Sequence, residues 1–149
     1  MLKGRVKINT NDLALLNKKL NRLKKFSEQG FSDELGYTAA DIASVATDEV
    51  PVDTGHLKQT IGFGASKNQA SVHALATYAA YVEFGTGSAV STADARALGI
   101  DSSMIKAMFK GEGKRKVNMN PQPYFFPAVR AGFYELLKRL KNKINKDIR

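Results

Sequence analysis

The sequence predicts one α+β domain, with helices at the N-terminus and in the centre, a small antiparallel β-sheet and a long C-terminal helix. Three observations lead to this fold class: helical periodicity before Pro51, short alternating segments over 61–76, and a long amphipathic run after Pro127. The chain has 149 residues, which is typical of a single domain. We therefore expect one domain over residues 1–149.

The N-terminal helix is predicted from a group of helix-capping residues followed by leucines at helical spacing. Residues 9–12, Asn-Thr-Asn-Asp, are good helix N-cap types. Leu13, Leu16 and Leu20 follow at helical spacing, with lysines and arginine on the other faces. The pattern predicts an amphipathic helix that ends near Gly30, and its narrow stripe suits packing on one surface or on a partner chain.

A second helix and a hairpin follow. The second helix is predicted to begin after Asp33 and to end at Pro51, because proline lacks an N–H and disfavours helical geometry in the residue before it. The segments 61–65 and 71–76 alternate around the polar residues 67–69. This pattern indicates an antiparallel β-hairpin.

The second half of the chain has a less regular pattern. Residues 78–84 suit a helical turn or a strand equally well, and periodicity leaves both open. Residues 88–120 are expected to form a flexible insertion with short helices, one capped by residues 91–94 and one by Asp101. Pro127 is expected to open the last helix, since proline is favoured at the first helical position.

Composition excludes several classes of protein. The hydrophobic fraction of 43% and the charged fraction of 25% are typical of a folded globular chain. The absence of cysteine excludes a disulfide scaffold, a thiolate metal site and a cysteine nucleophile. No uncharged stretch is apolar enough to span a bilayer, and no secretory signal is expected, so no membrane partner is predicted.

The net charge of +9 is concentrated in the last third of the chain. Residues 101–149 hold twelve basic and four acidic residues. A basic patch near Tyr124 and Phe125 could follow a phosphate backbone and stack on bases, so nucleic-acid binding remains an alternative. The basic residues singled out for interaction are Lys106, Lys110, Lys114, Arg115 and Lys116. The lysines of the last helix are equally typical of a solvated amphipathic face.

Candidate catalytic residues are few. Asp53-Thr54-Gly55 is the triplet of aspartic proteases, and a dimer could pair two such carboxylates. That protease remains a remote alternative, because the simpler interpretation is that Asp53 caps a short helix over 54–61. His56 and His73 lack metal-ligand spacing. Glu83 lies among aromatic residues but has no identifiable acid–base partner, so no catalytic, metal or cofactor site is expected.

Three stretches, in order, resemble the neck proteins of tailed phages. Residues 50–61 resemble the family segment PVDTGxLxxSI, residues 78–87 its YAxYVEFGT segment, and residues 122–128 the xPFLxPA opening of its last helix. The chain departs from the pattern at Tyr124 and in its long insertion over 88–120. The motif residues that carry the resemblance are Pro51, Val52, Asp53, Thr54, Gly55, Tyr78, Tyr81, Glu83, Phe84, Gly85, Thr86, Gly87, Pro123, Phe125 and Pro127.

The resemblance implies a non-enzymatic virion protein of a siphophage or prophage. Proteins of this family are tail-completion, tail-terminator or head–tail joining proteins, assembled in the host cytoplasm into the virion neck. The resemblance implies a ring on the tail axis that contacts a head-completion protein and the tail tube, while DNA passes the channel without being read. Asp53 and Gly55 are then expected to form the turn into the short helix, and Gly85 and Gly87 the exit from the 78–84 segment. The 88–120 loop and the basic C-terminal helix are expected to contact neighbouring subunits or neck partners.

Overall fold

The computed structural model describes residues 9–109 and 118–148, and of residues 147 and 148 it describes the backbone alone. In chain order it contains helix α1 (Thr10–Lys25), a π-helical turn (Phe26–Gly30), helix α2 (Phe31–Glu49), helix α3 (His56–Gln59), strands β1 (Ile61–Ser66) and β2 (Gln69–Ala74), helix α4 (Ala79–Phe84), a 3₁₀ turn (Gly87–Ala89), and helices α5 (Ala93–Ala97), α6 (Ser102–Phe109) and α7 (Phe125–Ile148). The predicted α+β class is confirmed. The described residues are mostly helical, with a two-stranded antiparallel sheet and long helices at both ends.

The first two helices form one continuous rod, so the predicted helix end near Gly30 is wrong. Asn9 caps α1 as predicted, its side chain accepting a hydrogen bond of 3.0 Å from the N–H of Asn11. At Gly30 the backbone stays helical, and the N–H of Phe31 bonds to the carbonyl of Phe26 in the π-helical turn. A Cβ on Gly30 would lie 2.5 Å from the Phe26 ring. The glycine therefore gives the aromatic ring room and does not end the helix.

The predicted hairpin is confirmed. Strands β1 and β2 are antiparallel, with a register that runs from Ile61 opposite Ala74 to Ser66 opposite Gln69. One face of the hairpin packs on α2, and Val72 joins Ile61 and Ala74 in contact with the core there. Alternate side chains stay exposed because successive residues of a strand point to opposite faces.

The main core lies between α2, the hairpin and α7. Its buried residues are Ile42, Ala46, Val50, Leu57, Ala76, Ala79, Tyr124 and Ala128. Small side chains let the two long helices approach closely, and a Cβ on Gly132 would lie 2.2 Å from Cγ1 of Ile42. Gly132 lies opposite Ile42 whereas Arg139 lies opposite Glu34, so α7 runs antiparallel to α2.

A second cluster covers the other side of α4. Phe84, Ala95 and Phe109 are buried together, with Phe126 packed against them. Helices α5 and α6 supply two of these residues, so this part of the predicted insertion contributes to the core. Asp101 caps α6 as predicted, accepting a 2.9 Å hydrogen bond from the N–H of Ser103. The predicted cap at 91–94 is wrong, because α5 begins at Ala93 without a side-chain cap.

A charged network joins α2 to α7. The buried Glu34 pairs with Arg139, whose Nε lies 3.1 Å from Oε2, and with Nζ of Lys143. Arg139 also donates to Asp41 at 3.2 Å and to the hydroxyl of Thr38 at 2.7 Å. Lys143 thus lies on the solvated face that was expected of the lysines and also pairs with Glu34, while Arg139 joins the same network. A buried carboxylate needs such partners to offset its lost hydration.

Candidate functional site

Glu83 binds the beginning of the C-terminal helix. Its carboxylate lies on α4, and the residue is 4% exposed. Oε2 accepts hydrogen bonds of 2.8 Å from the N–H groups of Tyr124 and Phe125, and Oε1 accepts one of 3.0 Å from Phe126. These N–H groups have no partner within α7, and they form the positive end of its dipole. Glu83 is thus the N-terminal cap of a helix whose first residue, Phe125, lies 42 residues later in the chain.

The hydrogen-bond donors of Glu83 explain why a carboxylate lies among aromatic residues in this part of the sequence. The sequence showed no acid–base partner for Glu83, and the structure shows that its partners are backbone N–H groups. The residues Tyr124, Phe125 and Phe126 precede Pro127 without a Ser, Thr, Asp or Asn to cap the helix. That gap was the available signal that an acceptor must come from elsewhere. The helix also begins at Phe125, so the prediction that Pro127 opens it is wrong by two residues.

The exit from α4 is fastened to the segment that leads into α7. Gly85 has a φ of +72°, and a Cβ there would lie 2.5 Å from the carbonyl oxygen of Met119. Thr86 and Met119 are joined by two hydrogen bonds, Thr86 N–H to the Met119 carbonyl at 3.0 Å and Met119 N–H to Thr86 Oγ1 at 2.9 Å. The N–H of Gln122 donates to the carbonyl of Val82 at 2.8 Å. Gly85 is required for this close approach of two backbones.

The segment Pro51–Gly55 turns the chain from α2 into α3. Gly55 has a φ of +78° and is the N-cap residue of α3. It therefore lies in the turn into the short helix, where it was expected. The prediction that Asp53 caps this helix is wrong, because α3 begins at His56 and its N-cap residue is Gly55, which has no side chain. The hydroxyl of Thr54 instead accepts a long 3.5 Å hydrogen bond from the N–H of His56.

All three sequence motifs contribute to an open groove of about 560 Å³, which we call the motif groove. It is lined by Pro51, Val52, Asp53, Thr54, Gly55, Leu57, Tyr78, Val82, Met119, Asn120 and Gln122. Leu57 is buried at the groove, whereas Val52 is 67% exposed. The groove therefore offers apolar surface beside polar backbone, which is typical of a contact site for another chain.

Tyr124, whose N–H donates to Glu83, is 1% exposed. Burial, together with the negative charge of Glu83 and a smaller contribution from Tyr78, raises the pKa of Tyr124 to about 12. The tyrosine thus stays protonated at neutral pH beside the carboxylate that caps α7.

The remaining motif residues take structural positions around Glu83. Tyr81 packs edge-on against Phe109, with ring centroids 5.0 Å apart. Phe84 belongs to the second cluster, and Gly87 begins the 3₁₀ turn with a φ of +66°. Pro123 is exposed just before the three N–H groups that Glu83 binds.

The predicted basic cluster is described only at one position. Lys106 is exposed on α6. The residues Lys110, Lys114, Arg115 and Lys116 lie outside the described residues.

The protease triplet has the wrong surroundings. Asp53, Thr54 and Gly55 lie in an irregular segment after a helix, whereas the protease triplet follows an apolar strand. His56 lies near the ring of Tyr78, and His73 lies over Gly62 in the hairpin, so the two histidines serve different parts of the fold. Within residues 9–109 and 118–148, no group of three His, Cys, Asp or Glu side chains could hold a metal ion.

The arrangement is that of a small α+β scaffold whose motif residues form turns, a helix cap and an open groove. Residues 14–85 match the model of a family described as "Bacteriophage HK97-gp10, putative tail-component". Over this segment the chain is similar to the HK97 gp10-like family of phage tail components, which covers head–tail joining and tail-completion proteins. The comparisons with curated proteins and with solved structures gave no significant match.

The matched segment runs from α1 to Gly85 and contains two of the three motifs that carried the resemblance. The resemblance to a phage tail component is thereby confirmed. Proteins of this family are generally structural. In the described part of the chain, no helix is both long and apolar enough to cross a membrane.

Proposed function

We propose that this chain is a non-enzymatic structural protein of the head–tail connector of a siphophage or prophage. It acts in tail completion, tail termination or head–tail joining, and it assembles in the bacterial cytoplasm into the neck of the virion. The observation that carries the proposal is the family match of residues 14–85, a segment whose motif residues build an open groove and a helix anchor.

The protein forms a ring on the tail axis and links the head-completion protein to the tail tube. A closed ring uses head-to-tail contacts, so each subunit needs two different complementary surfaces, and the junction needs further surfaces for its two neighbours. The motif groove is the surface that we assign to a neck partner, because Val52 and Tyr78 present exposed side chains there. The 88–120 segment and the basic C-terminal helix supply contacts to neighbouring subunits or neck partners.

DNA passes the channel of this ring without sequence recognition. The basic excess of residues 101–149 supports this role, since a positive rim holds phosphates regardless of sequence. Weak, steeply salt-dependent DNA affinity is the corresponding expectation.

The test is complementation of a phage that lacks this gene. We expect the deletion to give separate filled heads and free tails in electron micrographs, and the wild-type gene to restore joined virions. Val52→Asp places a charge in the motif groove without disturbing the core, and it is expected to leave heads and tails unjoined. Leu75→Asp is the matched control, because Leu75 is equally exposed but lies outside the groove. Normal virion yield from the deletion would contradict the proposed function, and normal yield from Val52→Asp would contradict the role of the groove.

A further inference from the structure

Strand β1 exposes backbone hydrogen-bonding groups along one edge. The N–H of Leu75 bonds to the carbonyl of Thr60 at 3.2 Å, and the hairpin register continues this pairing. Bonded and non-bonded pairs alternate along an antiparallel ladder. Because Thr60 and Leu75 form a bonded pair, the N–H and C=O groups that point away from β2 are those of Ile61, Phe63 and Ala65. We call this row of groups the β1 edge.

The β1 edge has the surroundings of a site for a further strand. No backbone group of residues 9–109 and 118–148 bonds to it. On the opposite side of the hairpin, α4 and the beginning of α7 lie beside His73 and Ala74. Beyond β1 there is instead an open groove of about 560 Å³, in which Phe63 is 51% exposed. A row of unpaired N–H and C=O groups is a template for pairing with another strand.

The residues before α1 have the sequence pattern of a strand. Residues 2–8, which we call the N-terminal segment, lie outside the described residues. They read Leu-Lys-Gly-Arg-Val-Lys-Ile, so apolar side chains and a glycine occupy the even positions and cations occupy the odd ones. This period of two is typical of a strand with one apolar face. It ends at Asn9, the cap of α1.

The N-terminal segment cannot lie along the β1 edge of its own chain. The hydroxyl of Ser32 lies 3.4 Å from the carbonyl of Ser66, so the near end of β1 is beside the beginning of α2. A Cβ on Gly36 would lie 3.6 Å from that of Ala65, so the rest of β1 lies further along α2. At about 1.5 Å per residue, the helical rod places Ser32 about 34 Å from Asn9. The seven residues of the segment span at most about 25 Å.

We propose that the N-terminal segment of one copy of this chain pairs with β1 of the next copy as an antiparallel third strand. The outward groups of the β1 edge then gain backbone partners. The apolar positions of the added strand lie on the face of Phe63, over the groove that the 65% exposed Tyr37 also lines. Its cations lie on the opposite face, beside Gly62 and Gly64, which have no side chains to displace.

Three observations select this occupant. The unpaired backbone groups require a strand, the alternating sequence supplies one, and the length of the rod assigns it to a second copy. The contact joins two different surfaces, so it is head-to-tail and propagates around a ring. In this respect the inference rests on the proposed ring, and it names the surfaces that close it.

The first test adds a synthetic peptide of residues 1–9 to the full-length Val6→Pro chain. Proline removes an N–H from the ladder, so this chain keeps its β1 edge but loses its own donor strand. At saturating peptide, amide hydrogen exchange should slow by about tenfold or more at the β1 edge. The amides of Gly62 and Gly64 already bond to β2 and should change little. The control is a peptide of the same residues in an order that breaks the alternation, and it should protect none of these amides.

The second test measures association of the full-length chain by sedimentation velocity up to millimolar concentration. The wild type should form concentration-dependent oligomers. Val6→Pro and Ala65→Pro should each weaken association by about tenfold or more. Ala65→Pro removes one outward N–H and leaves the hydrogen bonds between β1 and β2 in place. Ala70→Pro is the matched control, because it removes an outward N–H from β2 instead, and it should associate like the wild type.

A mixture of the two defective chains gives the most specific result. The Val6→Pro chain has an intact β1 edge, and the Ala65→Pro chain has an intact N-terminal segment. An equimolar mixture should therefore form a dimer of one chain of each kind and nothing larger. Exchange protection at Gly62 and Gly64 verifies that the hairpin is intact in every variant.

Three outcomes would overturn the inference: a β1 edge that the peptide does not protect, equal protection by the two peptides, or normal association of the Val6→Pro chain. A wild-type chain that stays monomeric at millimolar concentration would overturn it as well. Complementation separates the two proposals. Virions joined normally by the Val6→Pro chain would refute this contact and leave the proposed function intact, whereas normal virion yield from the gene deletion would refute the function itself.

Discussion

Replacing Glu83 by alanine is the sharpest perturbation that the structure offers. The change leaves the N–H groups of Tyr124, Phe125 and Phe126 without their acceptor, and it removes a negative charge from the positive end of α7. Loss of a helix N-cap costs about 1 kcal/mol. Each buried donor left unpaired costs about 1–3 kcal/mol, less where water can enter.

The Tyr124 N–H is buried, whereas those of Phe125 and Phe126 are partly buried and can regain water. We therefore expect Glu83→Ala to lower the free energy of unfolding by about 3–5 kcal/mol. Glu83→Gln keeps a carbonyl acceptor and the side-chain length but loses the charge, so we expect a loss of about 1–2 kcal/mol.

Urea denaturation followed by far-UV circular dichroism measures both variants. Amide hydrogen exchange at Tyr124, Phe125 and Phe126 gives a local readout, since these amides should lose protection more than those in the middle of α7. Glu135→Ala is the matched control, because Glu135 is an exposed glutamate of α7, with a side chain that is 58% exposed. A Glu83→Ala variant within about 1 kcal/mol of the wild type would refute the assignment of Glu83 as the helix cap.

Two further predictions concern the same part of the fold. Gly85→Ala should lower the free energy of unfolding by about 3 kcal/mol or more, because alanine at this positive φ is strained and its Cβ meets the Met119 carbonyl. Urea denaturation measures the loss. Gly99→Ala is the control, because Gly99 has a similar φ with open space around it, and it should lower the free energy of unfolding distinctly less. Equal losses from the two glycines would contradict the steric argument. Tyr124 makes the free energy of unfolding depend on pH. Below pH 10 the tyrosine is protonated in both the folded and the unfolded state. Between pH 10 and the folded-state pKa of about 12 only the unfolded state loses the proton, so the free energy of unfolding falls across that window by about 2 kcal/mol. Tyr124→Phe should abolish this part of the alkaline loss in unfolding curves taken from pH 9 to 11.5, and an unchanged pH profile in the variant would show that Tyr124 titrates normally.

The sequence predicted correctly those features that depend on contacts between residues close together along the chain. Asn9 and Asp101 cap their helices through neighbouring N–H groups, and the hairpin turns where two polar residues separate alternating segments. These features depend on residues two to four positions apart, which a pattern can show. The class of fold and the resemblance to a phage tail component were therefore predicted correctly.

The wrong predictions arise where a local pattern is compatible with more than one structure, or where the partner lies far along the chain. Gly30 looks like a helix end, yet it keeps a helical backbone to make room for an aromatic ring. Asp53 looks like a cap, but Gly55, at a positive φ, takes the N-cap position of α3, and the N–H of His56 bonds to Thr54 Oγ1. Glu83 caps a helix that begins 42 residues later, and a local pattern does not show so distant a partner.

The contacts of α7 bear on how the chain can be divided. Residues 14–85 match a family as a unit, but their core is completed by Tyr124 and Ala128, which lie far outside that segment. Cut off after Gly85, the segment would leave α2 without its apolar cover and Glu83 without its backbone donors. The segment that matches the family model is therefore not a unit that folds without α7. During synthesis on the ribosome, the native core has to wait until α7 has emerged.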